Sequence, residues 1–294
     1  MDNRKLNKAR QNKRNEFFTR LCDVENELNH YKDQFKGKSV LCNCDDPNRS
    51  SFFTYFHTHF RELGLKELVA VCYIEGTNGF YVRDNGEDII RYECEGNGDF
   101  RSAECIELLQ RADIVCTNPP FSLLKAYIEQ LLSFEKRFLI IAHQHCFTYT
   151  SVFHAIKDRK MWLGYGFNRN VGYFTSDYDD YAVADEHKDG MIRVSGVCWL
   201  TNLGEERYSA PIPLTEEYRP ELYPKYVNCD GIEVARTAKI PKDYYGLMGV
   251  PSTFLFKWCP DQFELVRLRY GDDGRDVRLK ERNPYKRILI KRKH

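Results

Sequence analysis

Short apolar segments alternate with segments of helical periodicity through the first half of the chain. Continuous apolar runs predict buried strands at KSVLC, ELVAVCYI, DIVCT and RFLIIAH. Between them lie the helical patterns SSFFTYFHTHFREL, SAECIELLQRA and SLLKAYIEQLLSF, and VENELNHYKDQF predicts a helix before the first strand. Ser50 or Ser51 is suited to begin the second helix, and Gly64 is suited to end it. This alternation is typical of a parallel sheet covered by helices on both faces.

The pattern changes after about residue 160, where aromatic residues, Gly and Pro become frequent. VSGVCWLTNL is the clear late strand, and the region through Tyr270 predicts irregular structure or short strands. We therefore predict an α/β fold with a doubly wound, Rossmann-like sheet in a domain over 1–205. A smaller α+β extension is predicted over 206–294.

The composition indicates a globular protein that works inside the cell. The chain has 294 residues, of which 42% are hydrophobic and 30% charged, a balance that argues against disorder. No apolar run reaches the length of a membrane-spanning helix, and the N-terminus lacks the apolar core of a signal peptide. We predict a cytoplasmic protein without a membrane partner. The eleven cysteines include no C-x-x-C pair, so no metal site is predicted.

The near-neutral net charge of +1 conceals two basic ends. Residues 264–294 carry eleven Lys and Arg against five acidic residues, and the N-terminal segment is also basic, so the middle of the chain is net acidic. Such charge runs either form a solvated face or bind a polyanion.

Acidic residues follow several of the predicted strands. They are Asp45 and Asp46 after the first strand, Glu75 after the second, and Asp99 in the turn GNGDF. In doubly wound folds the carboxyl ends of the strands form the ligand site, and acids there suit the hydroxyls of a ribose or an ammonium group. Neither G-x-x-x-x-G-K-[ST] nor G-x-G-x-x-G is present to hold a phosphate, which argues against a nucleotide-dependent oxidoreductase.

The third strand of this series ends in Asn118-Pro119-Pro120-Phe121. Two consecutive prolines fix the backbone and hold the preceding residue in an extended conformation. The Asn118 side-chain oxygen and a carbonyl of the proline pair can then act together as acceptors for an exocyclic NH2 group. Phe121 adds an apolar face on which a planar ring can stack. The alternative is a turn that ends the strand, with Asn118 capping the helix that follows.

The tetrapeptide resembles the [DNS]-P-P-[YF] motif of methyltransferases that modify amino groups with S-adenosylmethionine. Together with CNCDDP, GNGDFRSAECIELLQRADIVCTNPPFS and the tail NPYKRILIKRK, it resembles the EcoRI-type family of adenine-specific DNA methyltransferases. The resemblance extends over roughly residues 10–292. It implies a Rossmann-like catalytic domain, a target-recognition extension, S-adenosylmethionine as cofactor, and double-stranded DNA whose target adenine flips out of the helix. A restriction endonuclease that acts on the same site is a possible partner, and either a bacterial or a phage setting is compatible.

The resemblance also implies a role for each motif residue. Asn118 and Pro119 would accept hydrogen bonds from the adenine N6 amino group, with Pro120 holding the backbone and Phe121 stacked on the base. The residues expected to bind the cofactor are Phe18 and Thr19 near its methionine part, Asn43, Asp45 and Asp46 in the loop after the first strand, Asp99 and Phe100 near its adenine, and Glu75 near its ribose. CNCDDP replaces the usual F-x-G-x-G of methyltransferases, so the choice between Asp45 and Asp46 stays open.

The basic tail supplies the predicted contacts to DNA phosphates. They are Arg267, Arg269, Lys286, Arg287, Lys291 and Arg292, chosen by charge alone. His143 and His145 either touch the substrate or have their hydrogen bonds satisfied at the end of a strand. Three alternatives to a DNA methyltransferase are methylation of adenine in RNA, methylation of a protein glutamine, and a catalytically silent nucleic-acid-binding protein.

Overall fold

The computed structural model describes residues 18–167, 171–175, 191–204, 206 and 208–294. By its contacts the chain divides into two compact units. The first comprises Met1–His143 and Leu163–Glu205, and the second comprises Gln144–Trp162 and Glu206–His294. The domains predicted over 1–205 and 206–294 stay a prediction, and the units differ from them in the placement of residues 144–162.

The first five α-helices of the described residues overlap the predicted helical segments, whereas the sixth, at Thr150–Lys157, was not predicted. The α-helices are α1 (Leu21–Leu28), α2 (Ser51–Thr58), α3 (Phe60–Leu63), α4 (Ala103–Arg111), α5 (Leu124–Ser133) and α6 (Thr150–Lys157). Short 3-10 helices span Asn29–Gln34, Gln144–Thr148, Thr237–Lys239 and Ser252–Lys257. Among the described residues, no helix combines the length and apolar character needed to cross a membrane.

The strands of the described residues include several that the sequence pattern did not predict. They are β1 (Phe18–Thr19), β2 (Ser39–Cys42), β3 (Glu67–Cys72), β4 (Phe80–Asp84), β5 (Ile89–Glu93), β6 (Ile114–Thr117), β7 (Arg137–His143), β8 (Trp162–Leu163), β9 (Val171–Thr175), β10 (Ile192–Ser195), β11 (Val197–Thr201), β12 (Gly231–Glu233), β13 (Leu247–Pro251), β14 (Phe263–Leu268) and β15 (Arg287–Arg292).

The first unit is built on a mixed sheet whose centre is parallel. Its strands are adjacent in the order β5-β4-β3-β2-β6-β7-β11. The strands β3, β2, β6 and β7 are parallel, and β4, β5 and β11 pair antiparallel to their neighbours. Every residue of β2 and β6 is buried, which explains their continuous apolar runs. The α/β class is therefore confirmed, and the carboxyl ends of four parallel strands meet at one edge.

The hairpin β4–β5 follows the second strand of the predicted series, in a segment for which the sequence pattern predicted no strand. In β4 the buried and half-buried residues alternate, whereas all five residues of β5 are exposed. An exposed edge strand carries no apolar period, so the pattern left it undetected. The first helix also differs: α1 ends at Leu28 and continues as a 3-10 helix to Gln34.

Local capping signals correctly placed the second helix. The Ser50 side chain accepts hydrogen bonds from the N–H groups of Phe52 and Phe53, so Ser50 is the N-cap of α2. Gly64 adopts a left-handed conformation (φ 62°) at the end of α3. The single helix predicted there is interrupted at His59, which separates α2 from α3.

Two smaller sheets complete the described structure. In the first unit β1, β9 and β10 form an antiparallel sheet in that order, with Phe18 opposite Thr175. In the second unit β12, β13, β15 and β14 form a four-stranded sheet. The region through Tyr270 thus contains short strands joined by long irregular connections.

Candidate active site

A cavity of about 690 Å³ lies at the carboxyl ends of the parallel strands in the first unit. Its walls come from segments that are far apart in the sequence. The lining residues are 18–19, 43–46, 49–52, 72–74, 80, 98–101 and 118–123. This volume is within the range of small-molecule and cofactor sites. The position is the one expected for a ligand in an open α/β sheet.

Asn118-Pro119-Pro120-Phe121 forms one wall of this cavity, directly after β6. Phe121 is partly buried against the main core rather than fully exposed, and its ring centroid lies 6.0 Å from that of His143. The N-cap position of α5 is Leu123, which makes no side-chain capping bond. The alternative interpretation of Asn118 as the cap of this helix is therefore wrong.

Two polar atoms on residues that line the cavity are buried without a hydrogen-bond partner among the described residues. They are Thr19 Oγ1 and Asn43 Nδ2. Asn43 is otherwise anchored, because its Oδ1 accepts a hydrogen bond from the Tyr127 hydroxyl. Buried polar groups are nearly always satisfied, so these two atoms leave hydrogen-bonding capacity for a ligand or a bound water.

The turn Gly96–Phe100 brings Asp99 and Phe100 to the cavity. Gly98 approaches β3 so closely that a Cβ atom there would lie 2.6 Å from the carbonyl oxygen of Cys72. The Arg101 side chain donates two hydrogen bonds to the Asp99 carboxylate, at 2.8 and 2.6 Å, and its backbone N–H donates a third at 2.9 Å. These contacts lower the pKa of Asp99. Asp99 is therefore an anionic acceptor at neutral pH.

Asp45 and Asp46 both line the cavity but differ in their surroundings. Asp45 is buried, and burial raises the pKa of its carboxyl group to about 6, although hydrogen bonds from Ser50, Thr117 and Asn118 oppose the rise. Asp46 is half-buried, and its Oδ1 accepts hydrogen bonds from the backbone and side-chain nitrogens of Asn48, both at 2.9 Å.

The candidates Glu75, His143 and His145 are not among the residues that line the cavity. Glu75 is exposed and is absent from the lining of the cavity. His143 Nε2 lies 3.0 Å from the carbonyl oxygen of Ser195, and His145 Nδ1 lies 3.2 Å from the Tyr285 hydroxyl. Each histidine therefore has one ring nitrogen within hydrogen-bonding distance of another residue of the chain, which favours the structural alternative.

The six candidate phosphate contacts of the tail occupy different environments. Arg287 is 12% exposed and pairs with Glu233 at 2.6 Å, a placement that favours a structural role. Arg267 pairs with Asp272, and Arg269 with Asp276, at the surface. Among the remaining three, Lys286 Nζ lies 3.3 Å from Thr148 Oγ1, and the guanidinium of Arg292 lies over the Tyr245 ring. Lys291 is exposed.

Sequence reasoning missed several residues that line the cavity. Arg49 stands above the ring of Phe18, with its guanidinium carbon 3.8 Å from the ring centroid. Tyr73 and Ile74 follow β3, and Phe80 begins β4. The position of Tyr73 and Ile74 at the carboxyl end of a buried strand was a usable signal. Nothing in the sequence pattern marked Phe80, because its strand was not predicted.

The chain matches the family model "Adenine-specific methyltransferase EcoRI" over residues 5–293. It is 44% identical to the Type II methyltransferase M.EcoRI of Escherichia coli, over 99% of this chain and 97% of that protein. It is 38% identical to M.MgeORF184P of Mycoplasma genitalium, over 89% of this chain and 85% of that protein. It is also 36% identical to M.MpnI of Mycoplasma pneumoniae, over 98% of both chains. No solved structure matches the chain.

Proposed function

The chain belongs to the EcoRI family of adenine-specific methyltransferases, and we propose that the cavity after β2, β3 and β6 is where it methylates a flipped adenine. The enzyme transfers a methyl group from S-adenosylmethionine to N6 of adenine in DNA. One observation carries the placement of the active site. The tetrapeptide after β6 shares a cavity with Thr19 and Asn43, each of which carries a buried polar atom without a hydrogen-bond partner among the described residues.

The residues of the cavity fit the cofactor in chemistry. Thr19 and Asn43 offer polar atoms that no described residue satisfies, and Asp99 offers a carboxylate to hydroxyl or amino groups. Phe100, which is buried beside the cavity, supplies an apolar wall for a purine. The guanidinium of Arg49 suits the carboxylate of a methionine group. When bound, S-adenosylmethionine supplies a methyl group already activated by its sulfonium.

Asn118 and Pro119 prepare the amine that is methylated. The N6 lone pair of adenine is delocalised into the ring, so the amine is a poor nucleophile. Acceptors at the Asn118 side chain and the Pro119 carbonyl favour a more tetrahedral nitrogen and stabilise the positive charge that develops on it. The rigid proline pair holds both acceptors in place, which accounts for much of the catalysis through orientation.

Phe121 receives the base after it leaves the DNA stack. Flipping an adenine out of a duplex costs a few kcal/mol. Stacking on an aromatic ring returns on the order of 1–3 kcal/mol. Phe121 follows the proline pair directly and lines the same cavity, so it offers this stacking surface beside the two acceptors.

We assign target recognition to the extension over 206–294, in agreement with its basic tail. Lys291 is exposed on β15, and Lys286 precedes the same strand. Neither lysine forms an ion pair shorter than 4 Å among the described residues, in contrast to Arg267, Arg269 and Arg287. Cations of this kind bind the DNA backbone and make the affinity depend on salt.

The names of the relatives suggest the biological setting. M.EcoRI and M.MpnI are called Type II methyltransferases. We propose by analogy that this enzyme modifies one defined sequence, which a cognate restriction endonuclease cuts when it is unmethylated. It would act where the DNA is, in the cytoplasm of a bacterium or of a cell that carries a phage. Expression beside the genes that flank it, followed by cleavage assays on methylated and unmethylated DNA, tests for this partner.

Methyl transfer to a defined substrate is the decisive experiment. Purified enzyme receives S-adenosylmethionine labelled on its methyl group with unmethylated genomic DNA, RNA or protein in separate reactions. We expect label in DNA, recovered as N6-methyladenine, and none with Asn118→Ala, although this variant still binds the cofactor. Label found only in RNA or only in protein would mean that this molecule, and not DNA, is the substrate. Cofactor binding without any methyl transfer supports the alternative of a catalytically silent nucleic-acid-binding protein.

A further inference from the structure

We propose that Asp45 is a positioning residue that holds Asn118 in place, and that Asp46 is the acid of the CNCDDP loop that faces the cofactor. This assignment rests on the proposed function of the cavity. It concerns the choice that the sequence left open between two adjacent carboxylates.

Hydrogen bonds occupy both oxygens of the Asp45 carboxylate. Ser50 Oγ donates to Oδ1 at 2.6 Å, and Thr117 Oγ1 donates to Oδ2. The backbone N–H of Asn118 donates to the same carboxylate. Asp45 is 8% exposed, so these bonds take the place of the water that a carboxylate would otherwise require.

These partners belong to the elements that carry the active site. Ser50 is the N-cap of α2, Thr117 is the last residue of β6, and Asn118 begins the catalytic tetrapeptide. The Asp45 backbone N–H also donates to the carbonyl of Val71 in β3, at 3.1 Å. The Asp45 side chain therefore connects the loop after β2 to the N-terminus of α2, to the end of β6 and to the backbone of Asn118.

This network sets the position of the acceptors. The two prolines restrict the chain after Asn118, but they do not determine where Asn118 sits relative to the loop after β2. The contact between the Asp45 carboxylate and the Asn118 N–H supplies that constraint. Asp46 has no comparable role, because its side chain accepts hydrogen bonds from Asn48, two residues away on the same loop.

Four variants separate positioning from cofactor binding. Asp45→Asn and Thr117→Val each remove a part of the network with little change in shape. Asp46→Asn is the matched control for the first. Thr201→Val is the matched control for the second, because Thr201 is also fully buried and donates a hydrogen bond to the carbonyl of Phe138, outside the cavity.

Three quantities are measured for each variant. They are the dissociation constant for S-adenosylmethionine, the single-turnover rate of methyl transfer to unmethylated genomic DNA, and the midpoint of thermal unfolding. We expect Asp45→Asn and Thr117→Val to lower the rate by about 10- to 100-fold, the effect of misplacing a reacting group, with the dissociation constant near that of the wild type. Asp46→Asn should raise the dissociation constant, and Thr201→Val should lower thermal stability without slowing transfer.

The inference is overturned if Asp45→Asn weakens cofactor binding as Asp46→Asn does while transferring at the wild-type rate from saturating cofactor. It is also overturned if Thr117→Val behaves like Thr201→Val, and this comparison decides the matter should Asp45→Asn fail to fold. A wild-type enzyme that transfers no methyl group to DNA would instead contradict the proposed function, so the two failures are distinguishable.

Discussion

At the residue scale, the ionisation of Asp45 gives the active site a defined pH dependence. Burial, and to a smaller extent the neighbouring Asp46, raise the pKa of Asp45 to about 6, whereas hydrogen bonds from Ser50, Thr117 and Asn118 lower it. The nearby thiols of Cys42 and Cys116 have pKa values raised by burial and remain neutral. At neutral pH Asp45 is therefore ionised and accepts all three hydrogen bonds.

We expect the rate of methyl transfer to fall as the pH decreases through about 6. Protonation places a hydrogen on one carboxyl oxygen, which then competes with a donor from the network. Asp45→Asn should be slower at every pH and should lack this acidic limb. Single-turnover rates across the pH range, at saturating cofactor, test this expectation, and an identical limb in the variant would contradict it.

Stability should change with pH in the opposite direction to activity. A carboxyl group whose pKa is raised on folding contributes stability that is fully present below its unfolded pKa and lost as the pH rises through its folded pKa. For Asp45 these values are 3.8 and about 6. The wild type should lose about 3 kcal/mol relative to Asp45→Asn over this window. Denaturant unfolding of both proteins at several pH values measures the difference.

At the element scale, the turn at Gly98 approaches β3 closely. A comparison of Gly98→Ala with Gly76→Ala tests whether this approach shapes the cavity, because the two glycines have the same φ angle. Gly98 and Gly76 both have φ +79°, and only Gly98 has backbone atoms within 4 Å of an added Cβ. Gly76→Ala should cost about 1–2 kcal/mol of stability from the left-handed conformation alone. Gly98→Ala should in addition push the turn away from β3 and raise the dissociation constant for S-adenosylmethionine on the order of tenfold.

Calorimetric titration of both glycine variants with the cofactor, together with their thermal unfolding, separates the two effects. Equal cofactor affinities in Gly76→Ala and Gly98→Ala would show that the packing of the turn does not shape the cavity. A change at Gly98 can affect the site because Asp99 and Phe100, the next two residues of the turn, line the cavity.

At the scale of the whole molecule, the net charge of +1 hides cations with different roles. Arg287 pairs with Glu233, which is 1% exposed and also accepts a hydrogen bond from the Tyr226 hydroxyl at 2.5 Å. Arg287→Ala would leave that carboxylate buried without its cation and should cost about 3–5 kcal/mol of stability. Denaturant unfolding measures this loss.

Lys291 provides the contrast on the same strand. Lys291→Ala should change stability by no more than about 0.5 kcal/mol. It should weaken DNA binding for all sequences and reduce the slope of affinity against salt by about 1. Binding titrations at several salt concentrations test both cations. An Arg287→Ala variant that stays stable while losing salt dependence would restore Arg287 as a phosphate contact.

The local features of the fold could be predicted from the sequence. Ser50 and Gly64 are recognisable as helix signals because capping depends on the backbone within a few residues. The four parallel strands are recognisable because a strand buried on both faces must be apolar throughout. The exposed strand β5 and the break at His59 carry no such local requirement, and both escaped prediction.

The sequence by itself determined the reaction and the position of the tetrapeptide, since Asn118-Pro119-Pro120-Phe121 is a contiguous motif at the end of a buried strand. Only the tertiary structure decided the partners of the charged residues. Asp45 meets Thr117 across 72 residues, and Arg287 meets Glu233 across 54. A charged side chain behaves as a ligand contact, a structural ion pair or a positioning residue according to its burial and its partners, and folding brings those partners from distant parts of the chain.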